Sequence, residues 1–159
     1  MTLDPLEFRA AMGQFATGVC LITLRTDAGR ELALTVNSFA SVSLDPPLVL
    51  WSLQEDSEVY ADFREAQHYA ISVLSSDQQA LSSYYAGKDQ HDVKPEHARP
   101  GSHGVPLIRG AVAVFECDLE ATHAGGDHLI IVGRVQAMHN EADNNPLVFH
   151  GGQYRQLAE

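Results

Sequence analysis

A chain of 159 residues with 45% apolar and 19% charged side chains is long enough for one domain with a real core, and too apolar to be disordered. Its formal net charge of −11, from 21 acidic against 10 basic residues, argues against nucleic acid or an anionic membrane surface as partner. No apolar run approaches the roughly 20 residues of a membrane span, and the opening MTLDPLEF lacks the basic-then-apolar order of an export signal.

Asp4-Pro5-Leu6-Glu7 reads as a helix start, with Asp4 as N-cap, Pro5 at the first helical position and Glu7 reaching back. Phe8, Ala11, Met12 and Phe15 then recur on one face, and Gly18 is the expected stop. Val19 to Leu24 is a strand, residues 25–30 a turn, and Leu32, Leu34 and Val36 alternate with Ala33, Thr35 and Asn37 as the strand that closes the hairpin. Cys20, here, and Cys117 both fall in apolar strands, which predicts buried free thiols in a reducing cytoplasm.

Thr35, Asn37, Ser38, Ser41 and Ser43 follow as a ledge of uncharged hydroxyls, one amide and backbone N–H groups. Asp45-Pro46-Pro47 ends it, and Leu48 to Leu53 reads as a fully buried strand. Such a ledge suits a flat ligand with polar edges and a phosphate tail, because several neutral donors can share the charge. An Asn/Ser-rich turn that satisfies its own backbone has the same composition.

Beyond a polar break at Ser52–Ser57, Asp56 or Ser57 can cap a short helix whose apolar face is Val59, Tyr60 and Phe63. His68 to Leu74 alternates as a strand, and Ser76 with Gln79 opens a helix that stops at Gly87. Lys88 to Pro106 has no periodicity and reads as a long surface loop. Ala111 to Thr122 is a strand with Phe115, Cys117 and Leu119 inward and Glu116, Asp118 and Glu120 outward. A glycine turn at 124–128 leads into Leu129 to Gln136, then a loop from Asn140 to Asn145, a last apolar run from Pro146 to Phe149, and a second glycine turn before Tyr154. Six or seven strands with about three short helices predict one mainly β domain over 1–159: a small closed or split antiparallel barrel.

The chain holds no G-x-S-x-G, H-E-x-x-H or C-x-x-C motif. Its eight histidines show no repeated ligand spacing, so His91, His97 and His103 read as solvated loop residues, with a metal site among them as the lesser reading. His128 stands apart, because it follows Gly125-Gly126-Asp127 at a hairpin tip where a ligand can approach closely. His150 likewise precedes a Gly-Gly pair.

Six segments, RAAMGQFATGVCLIT (9–23), LTVNSFASVSLDPPLVL (34–50), YAISVLSSDQQAL (69–81), GVPLI (104–108), GGDHLIIVGRV (125–135) and PLVFHGGQYRQL (146–157), follow one another in family order. Together they make the sequence resemble the short-chain flavin reductases built on the FMN-binding split barrel, the reductase components of two-component flavin-dependent monooxygenases. The resemblance implies a split β-barrel, usually a homodimer with flavin near the subunit interface. It places Thr35, Val36, Asn37, Ser38 and Ser41 along the isoalloxazine and ribityl chain, and Ser52, Leu53 and Ser57 toward the ribityl-phosphate end. Asp127, His128 and Tyr154 fall where the nicotinamide docks.

The implied reaction moves a hydride from NADH or NADPH to FMN or FAD and hands reduced flavin to a monooxygenase. A flavin carrier, or a flavin-dependent reductase of a corrinoid or ferric chelate, are the alternatives on the same barrel. Two segments depart from the family: Gln54-Glu55-Asp56 is acidic where relatives carry a base, and His91-Asp92-Val93 replaces an Asp-Arg-Phe. Phosphate neutralisation then falls to backbone N–H groups, Ser57 or Lys88, which predicts flavin affinity of only about micromolar strength. Hydride transfer itself needs no nucleophile, only two rings held about 3–3.5 Å apart, and His128 is assigned to orienting the nicotinamide.

Overall fold

The hairpin strands that alternate in sequence become one edge and the strand next to it in a seven-stranded antiparallel sheet. In the computed structural model, which describes residues 2–140 and 143–158, helix α1 (Pro5–Met12) precedes β1 (Thr17–Gly18), β2 (Cys20–Arg25), β3 (Glu31–Val36), β4 (Ala40–Leu44) and β5 (Pro47–Gln54). Next come α2 (Tyr60–Glu65), β6 (His68–Val73), α3 (Gln79–Tyr85), β7 (Ala98–Pro100) and β8 (Pro106–Ile108). Two long strands, β9 (Ala113–Gly125) and β10 (His128–Asn140), and a short pair, β11 (Val148–His150) and β12 (Gln153–Arg155), complete the described chain.

The large sheet runs β3-β2-β6-β9-β10-β5-β4, with β1-β11-β12 and β7-β8 as separate small sheets. The two end strands, β3 and β4, do not pair with each other, so the barrel is split and not closed. Two register shifts in β10, between Val132 and Gly133 and between Val135 and Ala137, bend the long hairpin. Gly133 is required at the first: a Cβ there would stand 2.1 Å from the Tyr69 hydroxyl and 3.2 Å from Cys117 Cβ.

Strand β2 is buried along nearly its whole length because apolar clusters cover both its faces. Cys20, Ile22 and Leu24 point into one cluster with Leu32, Leu53, Phe63 and Ile131, while Val19 and Leu21 join Leu74, Tyr85 and Leu147 in the other. Trp51, fully buried, meets Phe63 and Tyr69 edge-on with centroids 5.8 Å and 6.1 Å away. Such pairs add roughly 0.5–1.5 kcal/mol beyond the area they bury. Cys20 and Cys117 are free and buried as expected, and burial pushes both thiols up to about 12, which leaves them inert.

Several boundaries differ from the sequence expectation for physical reasons. Asp4 does cap α1, accepting from the Leu6 N–H at 2.8 Å, but the helix ends at Gly13, because Gly18 is needed in β1 opposite Val148. Gln78, not Ser76, sits at the N-cap of α3. Strand β4 lies inside the stretch expected to be a ligand-facing ledge, its hydroxyl-bearing residues at an exposed edge. The expected loop after Lys88 is partly ordered: Ala33 N–H donates to His91 O (2.8 Å) and Val93 N–H to Glu31 O (2.9 Å), so residues 91–93 cover the outer edge of β3. Arg30 reinforces that cover with a two-pronged bond to Asp92 at 3.1–3.2 Å.

Glu116, expected outward, is buried beneath the β7–β8 ribbon, where Val105 and Leu107 pack against Ala70 and Val114. The Ser102 N–H donates to its carboxylate at 2.8 Å and His139 Nε2 lies 2.9 Å away. Burial works to raise its pKa, but these bonds outweigh it and hold the carboxyl below the usual range. Glu141 and Ala142, within the expected 140–145 loop, lie outside the described residues.

Candidate active site

A cleft of about 400 Å³ opens where the ends of β3 and β5, the β9–β10 tip and the chain after α3 converge. It brings together Thr35, Val36, Asn37, Ser38, Ser52, Ser57, Lys88 and His128, residues drawn from four separate segments. Its size falls within the range of roughly 300–1,000 Å³ typical of cofactor pockets.

The hydroxyls of the ledge turn out to be builders of this wall. Ser38 Oγ accepts from the Ser52 N–H at 2.9 Å and lies 3.3 Å from the Ser52 carbonyl, tying the end of β3 to β5. Thr35 Oγ donates to the Ser82 carbonyl at 2.7 Å, and the Ser82 hydroxyl meets the Tyr154 hydroxyl at 2.7 Å. The Thr35 and Ser38 protons are therefore committed within the protein. The exposed Asn37 carboxamide, by contrast, makes no hydrogen bond among the described residues and is the donor left for a ligand.

Other expected residues sit elsewhere. Tyr154 lines an adjoining cleft of about 210 Å³ with Phe149, on the other side of a wall made by Thr35, Val36 and Asn37. Leu53 is fully buried in the core, so its side chain faces no cleft. Ser41 pairs with Val49 on exposed β4 and lines neither cleft.

The β9–β10 tip is a two-residue turn closed by Gly125 opposite His128. Gly126 takes φ +63 at its first central position, as a type II′ turn requires. Asp127 holds the neighbouring ring: its carboxylate accepts from His128 Nδ1 at 2.7 Å, leaving Nε2 for a ligand. That hydrogen bond, with the charge of the ring behind it, lowers the Asp127 pKa. The Glu55 N–H donates to the Asp127 carbonyl at 3.0 Å and pins the tip to the end of β5.

Sequence reasoning passed over Glu58 and gave His91 no place in the cleft. Glu58 Oε2 accepts from the Asp89 N–H at 2.9 Å and lies 3.4 Å from His91 Nε2, while His91 Nδ1 donates to the Ala33 carbonyl at 3.0 Å. This clip holds the 87–91 segment, and with it Lys88, on the cleft rim. The partners lie 31 residues apart, so no local pattern signals them. His97 bonds the Tyr85 hydroxyl (2.7 Å) and His103 stacks on His68, so the three loop histidines do not converge on one ion.

A family model described as flavin reductase like domain matches residues 12–158. The chain belongs to the flavin reductase family. Among family members, FMN reductase (NADH) SmoA of Agrobacterium fabrum is 49% identical over 151 residues, spanning 93% of this chain and 83% of that protein. HsaB of Rhodococcus jostii, the reductase subunit of a flavin-dependent monooxygenase, is 34% identical over 96% of this chain and 77% of its own length. The solved structure of the NADH:FAD oxidoreductase SgcE6 of Streptomyces globisporus, in complex with NAD and FAD fragments, superimposes with a TM-score of 0.91 at 32% identity, covering 99% of this chain and 97% of that one. The mainly β, antiparallel, split architecture is thus the flavin reductase fold.

Proposed function

We propose that this protein is an NADH-dependent flavin reductase that passes a hydride to FMN or FAD and releases the reduced flavin to a partner monooxygenase. The observation that carries the reading is one cleft in which the uncommitted Asn37 amide, the Ser57–Lys88 rim and the oriented His128 ring face a common space. The names of the relatives point the same way: SmoA uses NADH and FMN, SgcE6 uses NADH and FAD, and HsaB serves a monooxygenase.

The residues present fit a flavin. Asn37 can bond the polar edge of the ring system, while the Ser57 hydroxyl, which accepts from the Val59 N–H at 3.4 Å, keeps its own proton for a phosphate beside Lys88. Bound flavin supplies the hydride-accepting chemistry. The chain supplies position: Ser38–Ser52 and Thr35–Ser82 fix the wall, and His128 Nε2 meets the nicotinamide carboxamide. Holding two reactants in contact lowers a barrier by about 7–11 kcal/mol, so no side-chain nucleophile is needed.

The active assembly in this reading is a homodimer. Helix α1 buries none of its residues, leaving Leu6 and Met12 at 75% and 63% exposure; Phe15, just beyond it, stands at 79% and Leu44 on edge strand β4 at 97%. A second copy covering these faces accounts for apolar surface that a monomer would leave wet. No helix among the described residues is long and apolar enough to cross a membrane, and the free thiols support a cytoplasmic setting.

The deciding measurement is NADH oxidation in the presence of riboflavin, FMN and FAD in turn. Rapid loss of NADH absorbance with FMN or FAD is expected. Flavin binding without NADH consumption would make the protein a carrier and overturn the reading.

A further inference from the structure

We propose that His68, His103 and Asp118 bind a first-row divalent transition metal ion of the zinc class, at a place that shares no lining residue with the active cleft. Two of the donors are set by sheet register. His68 on β6 lies directly opposite Asp118 on β9, and its Nδ1 stands 2.7 Å from the carboxylate. The third arrives from the turn between β7 and β8, where the His103 ring lies flat on that of His68, centroids 3.7 Å apart and planes within 4°.

One donor atom from each residue lies within 4.8 Å of the other two. A tetrahedral zinc with bonds near 2.0–2.1 Å sets its ligands about 3.3–3.4 Å apart, between that limit and the 2.7 Å of the His68–Asp118 pair. The exposed His103 ring must turn out of its stack on His68 so that both in-plane lone pairs aim at one ion, a side-chain motion that leaves the sheet in place. Two imidazoles and a carboxylate are the donor set that borderline divalent ions prefer, and they leave a position for water.

Two further features fix His103 beside His68. Ring pairs left to themselves favour offset or edge-to-face packing with centroids about 4.5–7 Å apart, whereas these two sit closer and nearly parallel. His103 also adopts φ +58, ψ 19, a left-handed conformation that is costly for a residue with a Cβ. Its turn is held there by the Ser102 N–H bond to buried Glu116 and by the Gly101 N–H bond to the Val105 carbonyl at 2.8 Å. The mount is rigid, and the donors remain reachable: His103 is exposed, and the side chains of His68 and Asp118 are 39% and 41% exposed. An ion here would tie β6, β9 and the β7–β8 turn together as a structural clip, apart from hydride transfer.

The test uses the full-length protein stripped with EDTA and titrated with zinc chloride by calorimetry, with cobalt chloride as a visible-spectrum probe. One ion per chain is expected, with a rise in melting temperature. His103→Ala and Asp118→Asn should each weaken binding by roughly tenfold or more and abolish the rise, while His123→Ala, an exposed histidine outside the cluster, binds as the parent does. Because His103 is exposed, its variant keeps the native circular dichroism and an unchanged NADH oxidation rate. Absence of saturable binding, or equal affinity in parent and His103→Ala, overturns the proposal.

Discussion

Two aspartate–histidine pairs ride on the β9–β10 frame at the same 2.7 Å separation and differ in nearly everything else. Asp127 and His128 are chain neighbours at a turn, and the aspartate side chain is 87% exposed. Among the described residues no third ligating side chain joins them, and the ring looks onto the cleft that the Asn37 amide also lines. His68 and Asp118 face each other across two strands in the body of the sheet, and a second imidazole closes on them. An Asp–His contact is thus no function in itself. In the proposals above, an open nitrogen beside a cleft suits the pair to orienting an organic ligand, and a converging third donor suits it to holding an ion.

The most damaging way to separate the two is Gly133→Ala. The added methyl strikes the Tyr69 hydroxyl, and Tyr69 and Cys117 flank His68 and Asp118 in sequence. Overpacking of this kind costs about 1–3 kcal/mol, so the melting temperature falls by several degrees, and the sheet pair suffers while the turn pair does not. Tyr69→Phe in the same chain should restore part of the loss, since it removes the nearest clashing atom while the ring Cζ at 2.9 Å and Cys117 Cβ at 3.2 Å remain. Failure of that rescue would show that the clash lies elsewhere.

A milder intervention acts on the turn pair alone. His128→Ala should raise the KM for NADH on the order of tenfold, the loss of about one hydrogen bond, with flavin affinity nearly unchanged. Asp127→Asn should raise it only about two- to threefold, because an amide oxygen still accepts from Nδ1. Equal effects from both would mean that the carboxylate charge, and not the ring, meets the nicotinamide.

The smallest effect concerns acid. The Glu116 carboxyl, which braces the turn carrying His103, has a pKa lowered in the folded protein. Its stabilising contribution is complete above the unfolded value near 4.3 and is lost as pH falls through the lowered folded value. Glu116→Gln keeps an acceptor for Ser102 but no charge to lose. Urea midpoints at neutral pH and near pH 4 should therefore fall less in the variant than in the parent.

What could be read in the sequence follows from how local its causes are. The strands at 32–36 and 48–53 declared themselves because burial of one or both faces writes a pattern into consecutive residues. Strand β4 did not, since an exposed edge asks nothing of Ala40, Ser41 or Ser43. Glu116 was read outward from its neighbours in β9, yet a ribbon from 98–108 arrives to cover it. The family resemblance names Thr35 to Ser38, Ser52, Ser57, Lys88 and His128, which line one cleft, and also Ser41, Leu53 and Tyr154, which do not. The Glu58–Asp89–His91 clip and the His68–His103 stack were not, because chain closure alone brings those partners together.

Ser82 leaves one more mark on the molecule. It is fully buried, and it touches Thr35 through its carbonyl and Tyr154 through its hydroxyl. The segment around Tyr154 is thereby latched, through α3, to the strand that walls the cleft. Proteolytic clipping ahead of Tyr154 would unlatch it, and a preparation nicked there should shed flavin well before its spectroscopic signature of sheet begins to fade.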